Sequence, residues 1–359
     1  MQVLEYDVSF TTPAFLGNAE QLAQWRTPPF KALFRQWWRV ANARHHQFDW
    51  KKLREVEGQI FGSAADDGGG SMKSGLRLRL SKWDEAAQKP WGLPAQKISH
   101  PEVNMPVDSA LYLGYGPLSF NKASKTTDLT KNRSFLQVGD IARLRLGLPS
   151  NQSSYEEQLV ETTKLASWFG AIGSRSRNGW GSLCITPITG EIDVLSAASL
   201  KPFTRDFFQC LSLDWPHAVG ADQSGPLVWV SSTCYSRLEE ALKALAQEKI
   251  SIRTKVAPFF DADPSSATDR HLMGYPVTNH RVNQWTNKGR LAGQLRWKIA
   301  AVAAQRFRIL LVHIPCCLPS FMKSAYAGGA NGEANFWRKV HEHIDQSSVM
   351  SRISQKEAT

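Results

Sequence analysis

Apolar and polar residues alternate along several short stretches of the chain, a period that predicts β-strands with one buried face. The first stretch runs from Val3 to Thr11. In two others, 76–80 and 143–148, leucines occupy one face and arginines the other. Further apolar runs predict strands at 110–115, 183–188, 227–235, 292–301 and 307–314.

Other stretches place apolar residues every three or four positions, which predicts amphipathic helices. The first helix opens at Thr27-Pro28-Pro29, an N-cap residue followed by first-turn prolines. The predicted helices are 28–44, 50–61, 155–169, 237–249 and 334–344. This order is typical of an α+β fold of the ferredoxin-like kind, and a similar α+β pattern begins again after residue 195. We therefore expect two domains, 1–195 and 196–359, with long loops within 90–133 and 252–289.

The composition is that of a globular protein with an excess of positive charge. Apolar residues make up 42% and charged residues 21% of the 359 residues, which excludes a disordered chain. The net charge of +11 favours an acidic partner, nucleic acid ahead of a membrane surface. The longest apolar run, 309–318, is too short to span a bilayer, and the N-terminal residues lack the pattern of a signal peptide. We expect a cytoplasmic protein with no membrane partner.

Four side chains on the polar face of the first helix form a candidate RNA-binding stripe. Its members are Lys31, Arg35, Trp38 and Arg39. They recur at helical spacing, so three cations and an indole share one face. A solvated face is the ordinary explanation for such charge, but this stripe includes an aromatic ring, and no acidic residue occurs within 21–48. The pattern favours nucleic acid, because cations bind phosphates and aromatic rings stack on bases.

A second candidate interface is the glycine loop, residues 170–183, which has four glycines, three serines and two arginines. Such a loop suits close approach of a phosphate backbone to main-chain N–H groups. Its candidate residues are Gly173, Ser174, Arg175, Ser176, Arg177, Gly179 and Gly181. No Lys-Ser or Lys-Thr pair follows, which excludes a P-loop, and the loop leads from a helix into a strand, the reverse of a dinucleotide-binding turn. The alternative is a flexible hairpin with two solvated arginines.

An endoribonuclease is the enzymatic alternative, since metal-independent RNA cleavage needs an acid and a base at a 2′-hydroxyl. The candidate histidines are His45, His46, His271 and His280. None of them has a partner at a motif spacing. The first pair suits a helix end and the other two suit a polar loop, so neither position requires catalysis.

No metal or cofactor site is expected from the sequence. Asp66 and Asp67 could hold Mg²⁺, but a carboxylate pair beside a glycine run is typical of a turn. His341 and His343 lie two positions apart on a predicted helix, so their rings point in different directions. The five cysteines form no C-x-x-C pair and, being odd in number, give no disulfide framework.

Several stretches together resemble a known family. They are the entry segment (residues 12–17), the pattern R-x-P-x-x-K-x-x-x-R-x-W-W-R over 26–39, the I-F-G-S run at 60–63 and G-S-R-S-R-x-G-x-G-S within the glycine loop. In this order they resemble the RAMP superfamily of CRISPR effector subunits, and within it the first subunit of the type III-B (Cmr) complex. The similarity covers roughly the first half of the chain, and Arg290-Leu291-Ala292 is a weaker match in the second half.

The resemblance implies two tandem ferredoxin-like (RRM-like) domains and a non-catalytic, RNA-binding subunit at the head of an RNA-guided antiviral complex, near the guide 3′ end. The implied partners are guide CRISPR RNA, single-stranded target RNA and the other Cmr subunits. The implied RNA-binding residues are Arg26, Arg290, the four stripe residues and the seven glycine-loop residues. Two alternatives stay open: a guide-processing RAMP endoribonuclease, and an adaptor whose basic surface binds only acidic protein subunits.

Overall fold

The structure is a computed structural model that describes residues 2–64, 70–258, 266–277, 280–285, 289–329 and 331–354. It is a mixed α+β fold with several small, mainly antiparallel sheets, as the order of predicted elements indicates. The strands are β1 (Gln2–Phe10), β2 (Arg77–Leu80), β3 (Lys97–His100), β4 (Val103–Asp108), β5 (Leu118–Asn121), β6 (Thr126–Leu129), β7 (Ile141–Leu148), β8 (Leu183–Pro187), β9 (Thr204–Asp206), β10 (Val219–Asp222), β11 (Gly225–Pro226), β12 (Val228–Ser231), β13 (Leu295–Ala303), β14 (Arg306–His313) and β15 (Met350–Arg352). The helices are α1 (Thr27–Asn42), α2 (Trp50–Phe61), α3 (Ser109–Gly114), α4 (Glu156–Phe169), α5 (Ala197–Leu200), α6 (Phe207–Cys210), α7 (Leu238–Ser251), α8 (Asp269–Leu272), α9 (Ser320–Lys323) and α10 (Gly332–Asp345).

The first four-stranded sheet has the order β2-β7-β1-β8, and all its neighbouring strands are antiparallel. Helices α1 and α2 follow β1 in the chain, and α4 connects β7 to β8. Alternate residues of β1 (Tyr6, Val8 and Phe10) are buried, because successive side chains of a strand point to opposite faces. This sheet and its helices carry both candidate interfaces.

The second four-stranded sheet has the order β13-β14-β12-β15. Helix α7 follows β12 in the chain, and α10 precedes β15. In both four-stranded sheets the strand that comes first in the sequence therefore lies between the third and the fourth, with the second at an edge. Three smaller sheets have the orders β11-β10-β9, β3-β4 and β5-β6.

The chain divides into two compact units. The first comprises Met1–Leu93, Leu113–Leu195 and Lys298–Ala304, and the second comprises Pro94–Tyr112, Ser196–Trp297 and Gln305–Thr359. Helix α1 and the glycine loop belong to the first unit, whereas Arg290 belongs to the second. A division into domains at 195/196 remains a proposal.

The segment 90–133 differs from its prediction as a long loop with one strand. The expected strand at 110–115 is instead helix α3, in which the fully or nearly fully buried Ala110 and Leu113 lie three positions apart, a helical period. The segment also contains four short strands, which pair as two hairpins, β3-β4 and β5-β6. Most of their residues are exposed or half-buried, so the hydrophobic pattern gave no signal for them.

Other predictions concern segments that the structure describes only in part. Within 252–289 it describes a π-helix at Ile252–Val256, helix α8 and a 3₁₀ turn at Asn283–Trp285. Asp66 and Asp67 lie outside the described residues. Across the described ranges, no helix combines the length and apolar character needed to cross a bilayer. The same ranges contain no cluster of three or more His, Cys, Asp or Glu side chains suited to a metal ion.

Candidate nucleic-acid interface

The glycine loop is held against the entry segment at several points. The Ser174 N–H donates to the carbonyl of Phe15 at 2.9 Å. The buried hydroxyl of Thr12 donates to the carbonyl of Gly179 at 2.8 Å and accepts the N–H of Ser182 at 3.0 Å. Buried polar groups that are paired in this way resist separation, because breaking a pair leaves unsatisfied donors and acceptors. The loop is thus a fixed structure, which does not fit the alternative of a flexible hairpin.

Two of its glycines are required because backbone segments pass close to one another. Gly181 has a φ of +61°, and a Cβ atom there would lie 1.9 Å from the carbonyl oxygen of Ile172. Gly173 has a φ of +92°, and a Cβ atom there would lie 2.7 Å from the carbonyl oxygen of Phe15. Left-handed backbone of this kind favours glycine, and both contacts leave no room for a side chain. Packing of the loop on its own unit therefore accounts for both glycines.

The polar side chains of the loop have two different environments. The exposed Arg175 donates from Nε to the carbonyl of Tyr115 at 2.6 Å, and Asn178 donates from Nδ2 to a carbonyl of α3 at 3.0 Å. The hydroxyls of Ser174 and Ser176 make no hydrogen bond within the described part of the chain. Tyr115 is itself 65% exposed. The loop therefore presents a guanidinium and two hydroxyl groups near an exposed aromatic ring.

Arg35 and Arg39 bind a carboxylate on α2. The Glu57 side chain is 2% exposed, whereas Arg35 and Arg39 are 32% and 42% exposed. Arg39 donates from Nη2 to Oε1 of Glu57 at 2.7 Å and from Nε to the other oxygen, and Arg35 also binds Oε1. Burial raises the pKa of Glu57, but the hydrogen bonds and charges of Arg39 and Arg35 outweigh it and hold this pKa below its ordinary value. The two arginines thus join α1 to α2.

The prediction that Trp38 lies on an exposed face is wrong. The side chain is fully buried, and its indole N–H donates to Oε1 of Gln158 in α4 at 3.0 Å. Its ring lies near Phe61 of α2, with 6.1 Å between ring centroids. Because α2 and α4 both pack on α1, they cover part of the face that the isolated helix pattern leaves polar. Trp38 in this packing is not available for stacking on a base.

Substitution of Trp38 by Phe is expected to lower the free energy of unfolding by about 1–2 kcal/mol, through the lost bond to Gln158 and the lost buried area. RNA affinity of the folded protein should not change, because the side chain does not reach the surface. Chemical denaturation and an RNA titration measure the two quantities. The control is Trp50→Phe, at an indole that is 51% exposed, and it should be nearly neutral. A fall in RNA affinity with unchanged stability would contradict the buried role of Trp38.

The remaining predicted residues lie at three places. Arg26 precedes α1 and donates from Nη2 to the carbonyl of Gly17, and Lys31 is half-buried in the second turn of α1. Arg177 is half-buried in the glycine loop. Arg290, in the second unit, is exposed and donates to the carbonyl of Gly289 at 2.8 Å. Their contact with RNA stays a prediction.

The arginines of the two basic strands differ in their surroundings. Arg143 and Arg145 on β7 pair with Asp7 and Glu5 on β1, each at 2.7 Å. Opposite charges on adjacent antiparallel strands stabilise the sheet and cancel most of each other's field. Arg77, on the edge strand β2, has no carboxylate oxygen within 4 Å among the described residues. The uncompensated positive charge of this sheet therefore lies on β2 rather than on β7.

Of the four histidines proposed for nuclease chemistry, His271 has a structural role. His271 is 1% exposed, its Nδ1 accepts the backbone N–H at the N-cap of α8 at 3.0 Å, and its ring packs near Trp285 at 5.8 Å. Burial lowers the pKa of His271 and so favours the neutral ring. His280 is half-buried, while His45 and His46 lie in the 3₁₀ turn after α1. His271 therefore has no access to a 2′-hydroxyl.

Sequence reasoning missed three residues that matter for this surface. Glu57 had a usable signal, since it lies between Leu53 and Ile60 on the apolar face of α2, and a buried carboxylate needs a partner. Tyr115 and Lys73 had no signal for binding, because Tyr115 ends the apolar stretch 110–115 that predicts a strand, and Lys73 lies between α2 and β2, outside the periodic segments. Each matters because of its neighbours in the fold: Tyr115 lies beside Arg175, and Lys73 lies beside Lys31 and Arg77.

The chain is similar to known Cmr subunits. The CRISPR system Cmr subunit Cmr1-1 of Pyrococcus furiosus is 25% identical to it over 198 residues. This match covers 54% of the chain and 50% of that protein, so the chain spans about half the length of the curated relative it matches. No family model matches the chain.

Two solved structures are also similar to it. The crystal structure of apo Cmr1 from Pyrococcus furiosus has a TM-score of 0.45 at 14% identity, covering 89% of this chain and 90% of that one. A chain in the cryo-EM structure of type III-B Cmr-beta bound to cognate target RNA has a TM-score of 0.47 at 12% identity, covering 88% and 94%. The similarity to Cmr1-1 confirms the resemblance carried by the entry segment, α1 and the glycine loop: the chain is similar to the Cmr1 subunit of a CRISPR Cmr system.

Proposed function

We propose that this chain is an RNA-binding subunit of a type III-B (Cmr) CRISPR effector complex. The observation that carries the proposal is the fixed glycine loop, in a chain similar to Cmr1-1. The loop presents the guanidinium of Arg175 and the hydroxyls of Ser174 and Ser176, groups that bind phosphate oxygens. The net charge of +11 adds long-range attraction for a polyanion.

The RNA ligand is guide CRISPR RNA, single-stranded target RNA or both. Phosphate contacts fix position and carry no base information, so the loop would accept many sequences. The exposed ring of Tyr115, whose carbonyl binds Arg175, adds a surface for base stacking. The sequence pattern had assigned base stacking to Trp38; in this proposal Tyr115 has that role instead.

Within this proposal the subunit lies at the head of the complex near the guide 3′ end, contributes to target-RNA binding in antiviral defence and is not an enzyme. The burial of His271 supports the last point, because it removes one of the four candidate histidines for nuclease chemistry. The other Cmr subunits are its protein partners. An adaptor that binds only acidic subunits would share the basic surface but not the RNA affinity.

The fold that goes with this function is a pair of tandem ferredoxin-like (RRM-like) domains, 1–195 and 196–359. Its support is the strand order common to both four-stranded sheets, with the first strand between the third and the fourth. Each sheet also has at least one helix between its third and fourth strands and at least one between its first and second, as a β-α-β-β-α-β unit requires.

The proposal is tested by titrating single-stranded RNA with the whole 359-residue chain between about 50 and about 200 mM salt. Affinity should fall steeply with salt, because each phosphate contact releases counterions. The Arg175→Gln variant should bind several-fold more weakly at low salt. Its plot of log affinity against log salt should be less steep by roughly 0.7, the contribution of one phosphate contact on a single strand.

The matched control is Lys339→Gln, which removes one charge from an exposed position on α10 and should leave both values unchanged. Thermal unfolding of each variant separates a lost RNA contact from a disturbed loop, since Arg175 also binds Tyr115. RNA affinity that is undetectable at low salt, or independent of salt, would refute RNA binding and favour the adaptor. Specific cleavage of the RNA in EDTA would refute the non-catalytic role.

A further inference from the structure

A depression on the first unit combines several cations. It has a volume of about 290 Å³ and lies between the start of α1 and the edge strand β2. Its polar lining residues are Thr27, Lys31, Lys73, Ser74 and Arg77, and two leucines of 76–78 complete it. None of its lining residues is acidic. Lys73 and Arg77 belong to neither interface predicted from the sequence.

The wall that carries Lys73 and Arg77 has a defined backbone. The N–H groups of Gly75 and Leu76 donate to carbonyls at the end of α2, at 3.0 and 2.9 Å. The Ser74 hydroxyl lies 2.9 Å from the carbonyl oxygens of Ile60 and Leu76. The segment between the two cations is therefore fixed to α2, so both side chains start from defined positions beside Lys31.

The charges of this depression are uncompensated within the described residues. No carboxylate oxygen there lies within 4 Å of Lys31, Lys73 or Arg77, whereas Arg35, Arg39, Arg143 and Arg145 all bind acids. Burial and the nearby charge of Arg35 lower the pKa of Lys31. Helix α1 begins here with no side-chain cap and no acid in its first turn, so its dipole adds positive potential. A bound anion would neutralise these cations and would also interact favourably with the positive end of the helix dipole.

We propose that this depression is a phosphate-binding site that seats a phosphodiester of single-stranded RNA. Lys31 and Lys73 supply compact positive charges, Arg77 supplies a planar donor pair, and the Thr27 hydroxyl supplies a further donor. The site lies at the edge of the sheet, beside β2, so an RNA chain could continue past it in both directions. The inference rests on the proposed RNA-binding function and adds the position at which α1 meets the RNA backbone.

The test is the double variant Lys73→Gln with Arg77→Gln in the whole 359-residue chain. Single-stranded RNA affinity at about 50 mM salt should fall roughly tenfold or more, and the salt slope should fall by roughly 1.4, because two contacts of roughly 0.7 each are lost. The matched control, Arg338→Gln with Lys339→Gln on α10, removes the same charge from an exposed helix face of the second unit. It should change affinity by less than about twofold.

The outcomes separate this inference from the proposed function. If wild-type protein does not bind RNA, both are refuted. If the wild type binds but the two double variants behave alike, only the phosphate site is refuted. If the first double variant keeps its RNA affinity and loses assembly with Cmr subunits, the depression binds acidic protein instead. As a second measurement, bound RNA should protect Lys31 and Lys73 from acetylation by an amine-reactive reagent, and unprotected lysines would also refute the site.

Discussion

The Glu57→Gln variant is expected to unfold with a free energy about 3 kcal/mol below that of the wild type. The substitution keeps the shape of the side chain but removes the charge that Arg35 and Arg39 share. The glutamine can accept only part of their hydrogen bonds, and its own NH₂ group then faces two cations. The value lies at the lower end for a broken buried pair because the side chains of Arg35 and Arg39 are 32% and 42% exposed.

The pH dependence of this effect has a defined sign. The pKa of Glu57 is lower in the folded protein than its ordinary value of 4.5. A group with a lowered folded-state pKa stabilises the protein above the unfolded-state pKa, and this contribution is lost as pH falls through the folded-state value. The stability difference between wild type and Glu57→Gln should therefore be constant from neutral pH down to about 5 and disappear in stronger acid.

Denaturant titrations at several pH values measure this difference. Glu55→Gln is the matched control, since Glu55 lies on the same helix and is exposed, and it should change stability by less than about 0.5 kcal/mol. Equal stability of the two variants at neutral pH would show that the arginines do not depend on Glu57. They would then be available to RNA, as the sequence pattern alone suggested.

The main elements of the fold were predictable from the sequence because they depend on local periodicity. The bounds of α1 and α2 and the strands β1, β7, β8 and β14 follow from the spacing of apolar residues and from helix-start signals such as the first-turn Pro28. The two hairpins at 97–108 and 118–129 were not predictable in this way. Their strands are short and mainly polar, and the pairing partner rather than the pattern defines them.

The candidate site was only partly predictable for a related reason. Periodicity correctly placed Lys31, Arg35 and Arg39 on one side of α1, but it could not show that α2 brings Glu57 to two of them. Nor could it show that α4 brings Gln158 to Trp38. A helix pattern indicates which residues share a face, whereas the burial of that face depends on helices far away in the sequence. The sequence around Lys73 gave no signal for a binding site, because only the fold brings Lys73 next to Lys31 of α1.

The Gly181→Ala variant is expected to lose about 4 kcal/mol of stability, the largest effect of any single substitution considered for this unit. Part of the loss comes from the left-handed φ of +61°, which costs an alanine about 1–2 kcal/mol. The rest comes from the carbonyl oxygen of Ile172, which lies 1.9 Å from the new Cβ position. The backbone must move, and the hydrogen bond between the Ile172 N–H and the Gly181 carbonyl must lengthen or break.

Gly190→Ala separates the two contributions. Gly190 has a φ of +80° in an exposed turn with no atom within 4 Å of its Cβ position, so its substitution should cost only the backbone term, about 1 kcal/mol. Chemical denaturation measures the stability of both variants. An RNA titration of the folded variants should show weaker binding for Gly181→Ala alone, because the displaced loop no longer presents Ser174 and Arg175 together. If both alanine variants were equally stable and bound RNA equally well, the loop would have room to shift without penalty. Its fixed geometry would then not be the feature that presents these groups to phosphate.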